Sequence, residues 1–169
     1  MAVENSSLGL KRIGVAEVIA NALPTVFTEL EDAQIDSASL TESEPTTEDI
    51  RIEQRKGVYR RIETEEGSTV FTVQLYNVSP DNIALLKGGT VTPATAQVGK
   101  RWARSETVEV TKALELITLD DFKIYIPNGY VTALITWALA KSALATITLT
   151  IAAQDHELGD VIIEEPLAD

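Results

Sequence analysis

Apolar and polar residues alternate with a period of two along most of the chain after about residue 46. Successive side chains of a strand point to opposite faces, so this alternation indicates strands with one buried and one solvated face. Residues 145–153 give the clearest example, because Ile147, Leu149 and Ile151 alternate there with threonines. Residues 68–76 and 107–119 repeat the pattern, and residues 10–18 and 37–42 show weaker versions of it. The pattern predicts a mainly β fold.

The pair Asn128-Gly129 lies between two further strand-like segments, residues 122–126 and 130–139. Both residues readily adopt positive φ, which the central positions of a type I′ hairpin turn require. We therefore expect a hairpin at this pair. Residues 141–142 predict a second reversal into the strand that begins near residue 145, which gives three consecutive antiparallel strands.

One short helix is predicted over Pro80–Lys87. Ser79 suits the capping position, and Asp81 favours the positive end of the helix dipole. Proline at the first helical position and Gly88 after the last are also typical of helix ends. Two apolar residues three positions apart would face a sheet, Ile83 and Leu86.

Residues 46–67 form the most densely charged stretch, with both signs mixed and glycines at positions 57 and 67. Few apolar residues could anchor it, so the sequence predicts a long charged loop. Residues 1–8 and 158–169 predict terminal arms with little core content. The whole chain, residues 1–169, is expected to form a single domain.

Composition narrows the classes of function. The chain has 169 residues, no cysteine and a formal net charge of −12. Disulfides, thiolate zinc sites and cysteine nucleophiles are therefore excluded. The negative charge disfavours a protein that grips nucleic acid, because Lys and Arg must neutralise the phosphates. The most apolar stretch, residues 130–140, is roughly half of the ~20 residues that a spanning helix needs, so no membrane insertion is expected.

Candidate catalytic or metal-binding residues are few. His156 is the only histidine and lies among polar residues, so we expect a loop position rather than a ligand. Trp102 sits in a locally basic stretch; a core or interfacial tryptophan is expected, with base stacking as the alternative. Adjacent carboxylates suggest solvated turns, with a calcium ion as the alternative; they are Glu65-Glu66, Asp120-Asp121 and Glu164-Glu165. Phosphate-binding, dinucleotide and hydrolase motifs are absent, so neither an enzyme nor a cofactor is expected.

Three segments carry a family resemblance. They are SASLTE at residues 37–42, FKIYIPNGYVTA at 122–133 and KSALATITLT at 141–150. Together with the charged loop and the short helix between them, their order over residues 10–153 resembles that of the tail tube proteins of long-tailed bacteriophages, the siphophages. The plan is also similar to that of tube proteins from contractile tails and the type VI secretion machine.

The resemblance implies two packed antiparallel sheets, sandwich-like or barrel-like, with one flanking helix and no catalytic residues. It implies a homo-oligomer in which six copies form a ring through joined inner sheets and rings stack into a tube. Expected partners are a tape-measure protein and tail terminator or tip proteins. The expected location is the virion tail, assembled in the host cytoplasm, with DNA passing through an acidic and polar lumen during ejection without specific binding.

Two sets of residues are predicted to serve such a tube. Polar faces of the longest strands predict the channel wall, formed by Glu109, Glu115, Thr132, Thr146, Thr148 and Thr150. The charged loop is expected to be partly disordered in the free subunit and to order when rings stack. Its predicted contact residues are Glu48, Asp49, Arg51, Glu53, Arg55, Lys56, Tyr59, Arg60, Arg61, Glu63, Glu65 and Glu66.

Two other functions fit a small β protein. The first is a β-sandwich binding or adhesion module that recognises a glycan or a receptor. Aromatic residues make up only 5% of the chain, although carbohydrate sites favour exposed aromatics. The second is an enzyme on a small β-barrel, for which the sequence offers no motif. Formation of rings or filaments would separate the tube subunit from both.

Overall fold

A computed structural model describes residues 6–106 and 109–167 of the chain. The predicted fold class is confirmed, since 44% of residues lie in strands and 5% in a helix. The elements are β1 (Arg12–Ala16), β2 (Thr28–Glu29), β3 (Ser39–Glu42), β4 (Thr46–Ile50), β5 (Arg60–Glu65), β6 (Thr69–Leu75), α1 (Pro80–Lys87), β7 (Thr90–Thr92), β8 (Arg101–Ala103), β9 (Val110–Ile117), β10 (Lys123–Thr136), β11 (Thr146–Ala153) and β12 (Ile162–Glu164).

Within the described part of the chain, eight strands form one antiparallel sheet. Seven follow the order β2-β1-β9-β10-β11-β6-β3, and β12 pairs with β10. The long strand β10 has β9 along one side, and on its other side β12 pairs with its first half and β11 with its second half. Two small hairpins, β4-β5 and β7-β8, stand apart from this sheet.

The sheet curls so that its two ends approach each other. Strand β2 pairs with β1 at one end of the order, and shortly afterwards Ala33 bridges Leu75 of β6 near the other end. Backbone hydrogen bonds of 2.8 and 2.9 Å, from Gln34 to Gln74 and from Tyr76 to Asp32, fix this closure. One hydrophobic cluster joins residues from β1, β6, β9, β10, β11 and α1. The two facing layers expected from the sequence are thus opposite walls of one barrel-like sheet.

The predicted hairpin at Asn128-Gly129 is wrong. Strand β10 runs through this pair without reversing, and a β-bulge shifts its register against β9 between Ile126 and Gly129. Gly129 does not need positive φ here; a Cβ on it would lie 2.3 Å from Cγ2 of Ile151. Its lack of a side chain therefore allows β11 to approach closely. The predicted trio of strands is therefore a pair, because residues 122–126 and 130–139 belong to the single strand β10, which lies between β9 and β11 in antiparallel order.

The helix prediction is confirmed over Pro80–Lys87, with Ile83 and Leu86 buried against the sheet. Gly88 closes the helix at a φ of 75°, and its N–H donates to the carbonyl of Ala84. The Ser79 side chain makes no capping hydrogen bond. Its backbone carbonyl accepts from Ile83, at 3.0 Å, so the helix begins without a side-chain cap.

Residues 46–67 are not the loop that the sequence predicted. Strands β4 and β5 pair in antiparallel register and form a hairpin in which every strand residue is exposed. Threonine and isoleucine at alternate positions favour strands, and cross-strand charge pairs add to this preference. We call this element, residues 46–65, the charged hairpin.

The terminal arms also differ from expectation. The predicted C-terminal arm contributes β12 to the main sheet, where Ile162 pairs with Tyr125. At the other end, Leu8 accepts a hydrogen bond from the N–H of Leu119 and donates its own N–H to Asp120. Residues 1–5 and 168–169 of the predicted arms lie outside the described residues.

Candidate assembly surfaces

Strands β10, β11, β6 and β3 present one continuous outer face, which we call the threonine face. Register places Thr132 beside Thr150 and Thr150 beside Thr72, so that a row of threonines crosses three strands. Between these rows, the core-facing residues of the same strands are buried, as the alternation predicts. Its outward residues are Ser39, Thr41, Val70, Thr72, Gln74, Tyr130, Thr132, Leu134, Thr136, Thr146, Thr148, Thr150 and Ala152.

The threonine face carries no formal charge, although the chain as a whole is strongly acidic. Hydroxyl groups on such a face can exchange hydrogen bonds with water and offer no fixed charge to a polyanion. The sequence identified the threonines of β10 and β11. It missed Thr72 and Gln74 of β6, whose polar alternation was visible but whose place beside β11 was not.

Four of the predicted channel residues, Thr132, Thr146, Thr148 and Thr150, lie on this face. Glu109 is exposed and directly precedes β9, whose Thr111 pairs with Tyr130 of the face. Thr107 and Val108, from the same predicted strand, fall outside the described residues. The wall assignment of these five residues stays a prediction.

Glu115 does not fit this assignment. Glu115 is only 8% exposed, because residues 112–116 of β9 are buried on both faces of the sheet. The prediction that β9 has one solvated face is wrong here. Phe27 and Tyr125 pack with Ala113 and cover that face. A carboxylate in this position cannot line a channel of the folded subunit.

Arg12 provides the counter-charge for Glu115, with 3.6 Å between Nη1 and Oε1. Burial raises the pKa of Tyr125 to about 12, and the charges of Glu115 and Glu164 and a hydrogen bond to Glu115 act in the same direction. The phenol therefore stays protonated at neutral pH and donates to the carboxylate. This network links β1, β9 and β10 and has a structural role in the subunit.

The charged hairpin projects its side chains into solvent. Arg61 forms a two-point contact with Asp49, with Nε–Oδ1 at 2.7 Å and Nη2–Oδ2 at 3.2 Å. Hydrogen bonding to Arg61 lowers the pKa of Asp49, and the same contact raises that of Arg61. Arg55 lies 5.7 Å from the ring centre of Tyr59, within the range of a cation–π contact. These contacts set the side-chain geometry of an element that carries no buried core.

Charge is unevenly distributed along the charged hairpin. Its far end, residues 51–61, holds five basic residues and a single acidic one, Glu53. The other acidic residues of the predicted stacking contact lie at or next to its base, and they are Glu48, Asp49, Glu63, Glu65 and Glu66. The basic residues of that contact all lie at the far end, and they are Arg51, Arg55, Lys56, Arg60 and Arg61. The far end of the charged hairpin is therefore basic, whereas the chain as a whole is acidic.

Three of the remaining sequence candidates, His156, Asp121 and Trp102, have structural partners. Nε2 of His156 lies 2.6 Å from the carbonyl of Ile19, and its Nδ1 accepts the N–H of Leu158. Asp121 pairs with Lys11 in a turn where Asp121 has a φ of 61°. Trp102 is half-buried, and its indole donates to the Gly88 carbonyl at 2.8 Å. Each side chain thus anchors a loop or a helix end.

Among residues 6–106 and 109–167, no group of three or more His, Cys, Asp or Glu side chains is arranged to hold a metal ion. In the same part of the chain, no helix is long and apolar enough to cross a membrane. Comparison of the sequence with models of known protein families and with curated proteins finds no match in either.

Proposed function

We propose that the chain is a structural, non-enzymatic subunit of a phage-type tail tube, in which rings of six copies stack and the threonine face lines a DNA-conducting channel. The observation that carries the proposal is this broad, hydroxyl-rich and uncharged face on a strongly acidic protein. The outward residues of this face offer a polyphosphate no cation to bind and no carboxylate to repel it. Lys87 and Arg104 lie beside its β10 edge, in a pocket shared with Thr132 and Leu134.

The strand directions suit a ring. Strands β10 and β6 run one way and β11 and β3 the other, because each neighbouring pair is antiparallel. In the next copy of a ring, β10 would therefore lie antiparallel to β3 of the first copy. Among the described residues, none pairs with Thr132–Thr136 on the side away from β11, and β3 ends the sheet order. Joining these edges would pair backbone groups that lack a strand partner in the lone subunit. Within the β10 segment, the Ala133 carbonyl already accepts a hydrogen bond from Nζ of Lys87 at 2.7 Å.

The size of such a ring is compatible with DNA. Six strips of four strands give about 24 strands, and a strand spacing of ~4.8 Å gives a circumference of about 115 Å. The backbone diameter is then roughly 37 Å before strand tilt widens it further. Side chains on both walls reduce this bore, which still admits a duplex.

Rings would stack through the charged hairpin, whose apolar residues Ile50, Val58, Tyr59 and Ile62 are 39–55% exposed in the subunit. Its basic end would face acidic groups of the adjacent ring, and many weak pairs would add around the ring. A tape-measure protein inside the tube and terminator or tip proteins at its ends complete the proposal, with the virion tail as the location.

Electron microscopy of the purified protein, combined with sedimentation across a concentration series, tests the proposal. We expect hollow sixfold rings and tubes whose length grows with protein concentration. The matched control is the same protein with the charged hairpin shortened, which should yield rings without long tubes. A protein that remains monomeric at every concentration, in salt typical of virions, would refute the tube and favour the binding module.

A further inference from the structure

The connection between β10 and β11 is an exposed apolar surface. This apolar tip, residues 137–145, contains Trp137, Leu139 and Leu144, and Leu139 is 94% exposed. Its one charged residue is Lys141. A contiguous apolar group of this kind on a protein surface typically marks a contact with another molecule.

A second exposed apolar residue lies on the opposite edge of the threonine face. Ile35 is 85% exposed at a turn formed by residues 34–37, in which the N–H of Ser37 donates to the carbonyl of Gln34. The Ser37 hydroxyl accepts the N–H of Gln74 at 3.2 Å and so attaches the turn to β6. Ile35 is therefore held at the outer edge of the sheet.

The apolar tip and this turn lie at the same end of the four strands. Thr136, the last residue of β10, is opposite Thr146, and the next residue of β11, Ile147, is opposite Leu75. Leu75 in turn is bridged to Ala33, two residues before Ile35. The two apolar sites thus lie on opposite edges of the threonine face, at the same level along the strand direction.

We propose that the apolar tip of one copy covers Ile35 of the next copy, so that neighbouring subunits lock head to tail at this level. The inference rests on the proposed ring, because the antiparallel placement of β10 beside β3 of the neighbour brings the end of β10 to the 34–37 turn. Charge agrees with the contact, since Asp36 adjoins Ile35 and Lys141 belongs to the tip.

A second copy is the occupant that these observations favour. The two sites are different surfaces of one chain, so their contact is heterologous and leaves one free site at each end of an open chain of copies. Closure into a ring covers both sites of every copy. A symmetric dimer through two tips would leave Ile35 exposed and would place Lys141 near Lys141.

The absence of cysteine from the chain allows a direct test by thiol crosslinking. We would prepare Ile35→Cys, Leu139→Cys and the double variant, and treat each with a short bismaleimide. All changed side chains are exposed, so thermal unfolding should match that of the parent protein. The mixed single variants should give a crosslinked dimer, the double variant a ladder up to the closed ring, and each single variant alone no product.

The matched control is Val26→Cys mixed with Leu139→Cys, because Val26 is 81% exposed and lies outside the proposed contact. This mixture should give no dimer. Rings or tubes in the microscope without crosslinking of Ile35→Cys to Leu139→Cys would overturn the contact and leave the proposed function intact. A crosslinked ladder without rings or tubes would support the contact and refute the tube, and failure of both would refute both.

Discussion

Substitution of Gly129 separates two explanations for this glycine. If Gly129 were needed for a turn with positive φ, any side chain would be unfavourable there, whatever its neighbours. In the structure the obstacle is the Ile151 side chain, because a Cβ on Gly129 would lie 2.3 Å from its Cγ2. The Lys112 carbonyl, 3.1 Å from the same point, is tight but tolerable.

The expected magnitudes follow from overpacking and from cavity formation. Gly129→Ala should lower the free energy of unfolding by about 1–3 kcal/mol, the usual cost of an added core methyl group. Ile151→Ala should lower it by about 2–5 kcal/mol, because it leaves a cavity. In the double variant the added methyl group partly fills that cavity. The loss of unfolding free energy measured for the double variant should therefore be smaller than the sum of the two single losses by roughly 1–2 kcal/mol.

Urea unfolding followed by tryptophan fluorescence gives the free energies for this cycle. Gly57→Ala is the control, since a Cβ there meets nothing within 4 Å; it should be neutral or slightly stabilising. Strictly additive losses in the double variant would refute the reasoning, because they would place the penalty in the backbone of residue 129 rather than in its contact with Ile151.

Three further predictions concern assembly and pH. Shortening the charged hairpin between Asp49 and Glu65 should leave thermal unfolding unchanged, because no residue of the two paired strands belongs to the core, yet prevent long tubes in electron micrographs. High salt should slow stacking of the parent protein, and normal tubes from the shortened one would contradict this role. Thr150→Lys should make assembled tubes retain DNA in a salt-dependent way that the parent does not, measured by cosedimentation; equal retention would argue against a channel wall at this position. Neutral Tyr125 should stabilise the fold below pH 10 and lose this effect as pH rises through about 12, because its pKa is raised on folding from 10.0. Thermal melts of Tyr125→Phe should lack this part of the alkaline decline, and a parent protein whose tyrosines all titrate near pH 10 would contradict it.

Local patterns in the sequence determined several elements of this protein. Alternation located β6 and β11, and the turn and capping residues around Pro80–Lys87 defined α1, because these signals act within a few residues of chain. The polar faces of β10 and β11 were likewise visible, which identified four threonines of the threonine face before any strand order was known.

Tertiary contacts decided the rest. Asn128-Gly129 is compatible with a turn or a bulge, and the approach of Ile151 from β11 selects the bulge. Glu115 resembles a solvated strand residue until Phe27 and Tyr125, distant in sequence, cover that face of β9. Only the order of strands in the sheet places Thr72, Thr150 and Thr132 side by side. Pairing between distant segments depends on the packing of the whole chain, whereas periodicity and turn chemistry are properties of each segment alone.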